Sequence, residues 1–224
     1  MKLLLSLLAL LSLPAEAALN LSESGPKKNF LYEQDGKALA STVQLVFLAG
    51  SLGDPKGKEG LSSLAFESLL RGTKAKERKD FFASLERLGA TISANVGAGR
   101  TILSLYSVSE NLEPALNLMA EAVLQAGLKD GEINSLKEEL LAQLNQDLSS
   151  NRSILSRVFR QAVFAGTPLA FPPDGNIQGT KSVSPDDVRA YLLSQIKAGN
   201  VAVAATSNHS SGKVKQWVEA AFKD

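Results

Sequence analysis

The stretch VFLAGSLGDPKGKEGLSSLAFESLLRGT, Val46 to Thr73, joins two kinds of hydrophobic pattern. Upstream, Val43, Leu45 and Phe47 alternate with Thr42, Gln44 and Val46, which predicts a strand over 41–48 with one face in a core. Glycines at 50, 53, 57 and 60 then interrupt the chain as a loop. From Gly60 to Thr73 the pattern is helical: Leu61, Leu64, Ala65, Phe66, Leu69 and Leu70 cover more than half the circumference at 100° per residue. Ser63 and Glu67 share one stripe of that apolar helix, one turn apart. The glycines do not form a phosphate-binding loop, because their spacing before Lys58 is wrong and Glu59 stands where a Ser or Thr would ligate magnesium.

Working outward, Asn29–Gln34 reads as a strand ahead of the turn residues Asp35-Gly36. Thr91–Val96 and Thr101–Val108 read as a hairpin around Gly97-Ala98-Gly99. Helices are predicted near 78–88, from Asn111, and along the stripe Ile133, Leu136, Leu140, Leu144, Leu148. Further helices fall near 154–164, after the start signal Ser184-Pro185-Asp186-Asp187, and at the C-terminus, following a last strand at 200–205. The fold class is therefore α+β, a largely antiparallel sheet covered by helices on one face.

The chain has 224 residues, 24 Lys plus Arg against 23 Asp plus Glu, and no Cys. Near-neutral charge gives no electrostatic basis for a nucleic-acid or anionic-membrane partner. The lack of Cys removes disulfides and thiolate metal sites. Residues 1–17, with one Lys, an apolar run from Leu3 to Leu13 and Ala15-Glu16-Ala17, read as a secretory signal peptide too short to span a bilayer. The expectation is an exported protein, periplasmic or extracellular, with one domain over 18–224 and no membrane span after cleavage.

The order of these pieces resembles the pitrilysin, insulysin and mitochondrial processing peptidase family, the insulinase-like inverted zincins. The likeness runs from VFLAGSLGDPKGKEGLSSL through LLRGT, LERLGA, SENLEPALNLMAEAVLQ, KEELLAQLNQD and GTKSVSPDDVRAYL. Active members carry HxxEH on the opening helix, two His and a distant Glu holding zinc and the motif Glu acting as base. Laid on Gly60 to Gly72-Thr73, that pattern puts Ser63 at the first His, Phe66 at the catalytic Glu and Glu67 at the second His. Ser is a poor zinc ligand and Phe cannot accept a proton, so the resemblance implies a degenerate motif. The only His, His209, falls in a loop after the last strand.

Glu139 matches the family's distal Glu and Glu132 a second acidic residue one heptad earlier. Glu67, Glu132 and Glu139 are then either a remnant carboxylate cluster for a hard cation or a polar seam held by hydrogen bonds to backbone or to Ser63. Family members also add extended peptides to a sheet edge, which here corresponds to Ser93, Ala94, Asn95 and Val96. The resemblance implies a catalytically inactive homologue with no zinc of its own. It would bind peptide, or pair with an active HxxEH subunit that carries the zinc, as a heterodimer or with a second insulinase-like domain. A self-sufficient peptide-binding module and, last, a hydrolase with a carboxylate-only metal site are the other readings.

Overall fold

The computed structural model describes Ser22 and residues 29–223; the segment 1–17, expected to be a signal peptide, lies outside the described residues. Five strands form one sheet: β1 (Phe30–Gln34), β2 (Ala40–Phe47), β3 (Ala90–Val96), β4 (Thr101–Val108) and β5 (Val201–Ser207). Their order is β1-β5-β2-β4-β3, with β1 parallel to β5 and every other pairing antiparallel. β1 and β2 follow one another across Asp35-Gly36 but do not pair, because β5 inserts between them. The local turn signal is overridden by a pairing of residues some 170 positions apart.

Alternation fixes which face is covered. In β2 the residues Ser41, Val43, Leu45 and Phe47 are buried while their neighbours are half-exposed, and β4 and β5 repeat the pattern. The α-helices are α1 (Leu61–Ser68), α2 (Arg78–Arg87), α3 (Leu112–Leu124), α4 (Asp130–Asp147), α5 (Asn151–Val163), α6 (Ile177–Ser182), α7 (Pro185–Gln195) and α8 (Ser211–Ala221). Leu116, Met119, Val188, Val214 and Val218, from α3, α7 and α8, join the strand residues in one core. The domain is thus an α+β unit with a mostly antiparallel five-stranded sheet, as the sequence predicts.

Two boundaries differ from the sequence-based expectation. α1 ends at Ser68 instead of running to Thr73, since the chain turns at Gly72, with φ +108°, and Thr73 N–H bonds to the Lys76 carbonyl. α6 falls in a stretch for which periodicity predicts no element. Its sequence, IQGTKS, has no apolar period, and it is set instead by the Asn176 side chain accepting from Gly179 N–H at 2.8 Å. At α7 the predicted start is complete, with Ser184 and Asp187 forming a reciprocal capping box.

Candidate functional site

α1 is held at its N-terminus from outside the helix. The Asp54 carboxylate accepts from Gly60 N–H at 2.8 Å and Ser62 N–H at 2.9 Å, filling two of the orphan donors of the first turn. Burial pushes the Asp54 carboxyl above its ordinary range, and the two backbone bonds act against that rise. Beyond this cap the three motif positions face different surroundings. Ser63 is buried and donates to the Pro173 carbonyl at 3.1 Å. Phe66 is fully buried, its ring 5.2 Å from that of Phe47 and edge-on to Tyr191 at 6.3 Å. Position 66 therefore belongs to the core between helix and sheet, not to a cleft.

Glu67 opens on a small cavity of about 180 Å³ that it shares with Arg71, Glu139, Asp147 and Asp174. Arg71, one helical turn beyond Glu67, clamps Glu139 in a two-point contact, Nη1 to Oε1 at 2.8 Å and Nη2 to Oε2 at 2.5 Å. That guanidinium holds the Glu139 carboxyl below its ordinary value. Glu132 does not line the cavity and reaches the group only through its charge on Arg71. The seam is thus tied by an arginine, not by backbone or by Ser63, whose hydroxyl turns to Pro173. Arg71, Asp147 and Asp174 are the members that motif matching misses; the four-residue spacing from Glu67 to Arg71 is the signal that could have found the first.

The donor set does not fit a catalytic zinc. Ser63 is engaged with a carbonyl, Phe66 has no donor atom, and the Glu139 oxygens are both bonded to Arg71. Among the described residues no group of three or more His, Cys, Asp or Glu is placed to hold a metal ion. His209 is half-buried instead of lying free in its loop. Its ring packs edge-on to Trp217 at 4.9 Å, and Nε2 lies 2.9 Å from the Ser109 carbonyl. This contact ties the β5–α8 loop to the end of β4, far in sequence from α1.

The expected peptide edge is β3, which among the described residues is terminal in the sheet and pairs only with β4. Along it Ser93 and Asn95 are exposed, and Ala94 and Val96 half-buried.

Two carboxyls of the cavity carry raised pKa values. Glu67 is pushed up by burial first and by the Asp174 charge second; Asp174 is pushed up by burial and then by Asp147. A raised folded-state value means the folded chain holds its proton more tightly than the unfolded chain does. Ionised Glu67 therefore costs stability above its folded pKa and nothing below the unfolded value of about 4.3. Glu67→Gln is expected to raise Tm at pH 8 and to lose that advantage by about pH 4. Thermal melts of both proteins across this range check it; an advantage that grows toward acid contradicts the assignment.

The chain has relatives in sequence and in fold. Bovine mitochondrial cytochrome b-c1 complex subunit 1 is 26% identical over 164 residues, 73% of this chain and 34% of the relative. Human mitochondrial-processing peptidase subunit beta is 21% identical over 191 residues, 85% of this chain and 39% of the relative. The crystal structure of a peptidase M16 inactive domain from Pseudomonas fluorescens superposes with a TM-score of 0.78 at 22% identity, over 86% of this chain and 47% of that one. The chain spans less than half the length of each of these. No described helix is long and apolar enough to cross a membrane. The insulinase model, peptidase family M16, matches residues 29–172, and the chain belongs to that family.

Proposed function

We propose that this chain is a non-catalytic, exported member of the insulinase family that acts by binding, either holding extended peptides or pairing with a homologous subunit whose HxxEH is intact. The observation that carries this reading is Phe66, packed between Phe47 and Tyr191 at the position the family resemblance assigns to the base. A phenyl ring at that point supplies no proton acceptor, and the engaged Ser63 and Glu139 supply no open coordination position. The relatives named as subunits of larger assemblies support pairing.

A purified sample prepared without added zinc is expected to contain substoichiometric metal, to leave peptides uncleaved, and to keep its Tm on addition of a chelator. Cleavage that a chelator abolishes would overturn the non-catalytic reading and favour a carboxylate-only metal site. Retention of an intact HxxEH homologue on the immobilised protein is the expected result for the pairing role. The free β3 edge favours a second reading, a self-sufficient peptide-binding module. Micromolar affinity of the isolated chain for extended peptides, lowered by Ala94→Pro, separates it from the first, since the Ala94 N–H faces the open edge while Asn95 alternates onto the bonded pair with Ile102 of β4.

A further inference from the structure

Helix α5 is amphipathic in the wrong sense for a helix lying on a domain. Its half-buried residues, Ser153, Arg157 and Arg160, recur at helical spacing and face the body of the protein. Arg157 pairs with Asp147 and donates to the Gly175 carbonyl, and Arg160 donates to the Leu169 carbonyl. The opposite stripe points to solvent. Ile154, Leu155, Val158, Phe159 and Val163, with Leu148 just before the helix, are between 40% and 69% exposed, and α5 buries no residue at all. Six such side chains form an apolar patch on the order of 500 Å², at the upper end of what a monomer leaves uncovered.

A membrane surface is a poor match. A helix bound to anionic lipid needs its cations flanking the apolar stripe, whereas two of the three α5 arginines are turned inward onto carbonyls and Asp147. A second copy of the same helix is a good match. The stripe carries no acidic residue, and Arg152 is the one cation beside it. In an antiparallel pair crossing near Val158 and Phe159, the two Arg152 groups lie at opposite ends, about 20 Å apart at 1.5 Å per residue. That exceeds the screening length of about 8 Å, so self-pairing meets no charge penalty, and the antiparallel helix dipoles favour it. Two such patches remove about 1,000 Å² from water, the lower bound of a specific interface.

We infer that the outward apolar face of α5 is a self-association surface, on which a second copy of this chain packs its own α5 antiparallel. None of the patch residues lies on β3 or lines the Glu67 cavity, so the inference is tested independently of peptide binding. Light scattering is expected to give twice the chain mass for the purified protein and the single-chain mass for Leu155→Glu with Phe159→Glu. Both changed side chains are exposed, so the circular dichroism spectrum should keep its original shape, and Tm should match that of the original protein diluted to the monomer. Because the chain has no Cys, Phe159→Cys introduces one thiol, and mild oxidation is expected to join two copies through it. A monomer at every concentration up to about 100 µM, the weak limit for a specific dimer, overturns the inference. So does a dimer that survives the double Glu change, or a monomer that floats with anionic vesicles.

Discussion

Phe66→Glu is expected to lower Tm by about 10 °C or more, or to yield no folded protein. The ring is fully buried and lies against Phe47 and Tyr191. Truncating a buried Phe costs about 3–5 kcal/mol, and a carboxyl placed there without a partner adds a desolvation cost on top. In a chain of this size each kcal/mol moves Tm by about 2–4 °C. Phe66→Leu, which keeps an apolar side chain and leaves a smaller void, should cost only a few degrees. Equal melting of wild type and Phe66→Glu would mean that position 66 opens to a cleft and would remove the main support for a non-catalytic reading. The expected result has an evolutionary edge: chemistry cannot return here by one substitution, because the base would have to displace an aromatic contact that joins α1 to β2 and α7.

Much of this was legible where burial and period agree. β2 and β4 alternate strictly, and the stripe of α4 is buried from Ile133 to Leu144 as its spacing predicts, but its last expected member, Leu148, lies past the helix end and is exposed. Local signals failed where a distant segment decides the outcome. Asp35-Gly36 is a good turn, yet β5 takes the place beside β2 that a hairpin would give to β1. α6 depends on one Asn cap and on its fit against Glu59, neither of which has a periodic signature. α5 was recognisable as a helix, but the rule that apolar faces turn inward gives its orientation the wrong way round, since its arginines find Asp147 and two carbonyls on the protein side. Of the positions that motif matching names, Glu67 and Glu139 share the cavity, while Ser63 turns to Pro173 and Phe66 to the core. Motif matching could not reveal that Arg71 would close on Glu139, which depends on α1 ending at Ser68 and on how α4 crosses it.

Gly175→Ala is expected to be as damaging as Phe66→Glu, although Gly175 touches none of the motif side chains. Its φ is +79°, where an L side chain costs about 1–2 kcal/mol. A Cβ there would lie 2.2 Å from the Glu59 carbonyl oxygen and 2.4 Å from Gly60 N. Both are backbone atoms, so no rotamer change relieves the contact. They can move only by pulling the segment 59–60 away from 175–180, which it meets through Asn176 Nδ2 on Glu59 Oε2 at 3.2 Å and through the close approach of Gly179 to Glu59 N. Gly60 is also where Asp54 caps α1, and Ser63 reaches Pro173 two residues upstream of Gly175. Loss of the cap alone costs about 1 kcal/mol, and with the strain and the displaced backbone a total near 4 kcal/mol corresponds to a Tm lower by about 8–16 °C. Gly53→Ala is the control. Nothing lies within 4 Å of a Cβ at Gly53, so its change should stay within about 0.5 kcal/mol. If both variants melt alike, the 59–60 and 175–180 segments do not grip each other. If Gly175→Ala melts early, the helix that carries the degenerate motif is kept in place by packing that has no dependence on a metal, which is the physical condition for a domain to outlive its own chemistry.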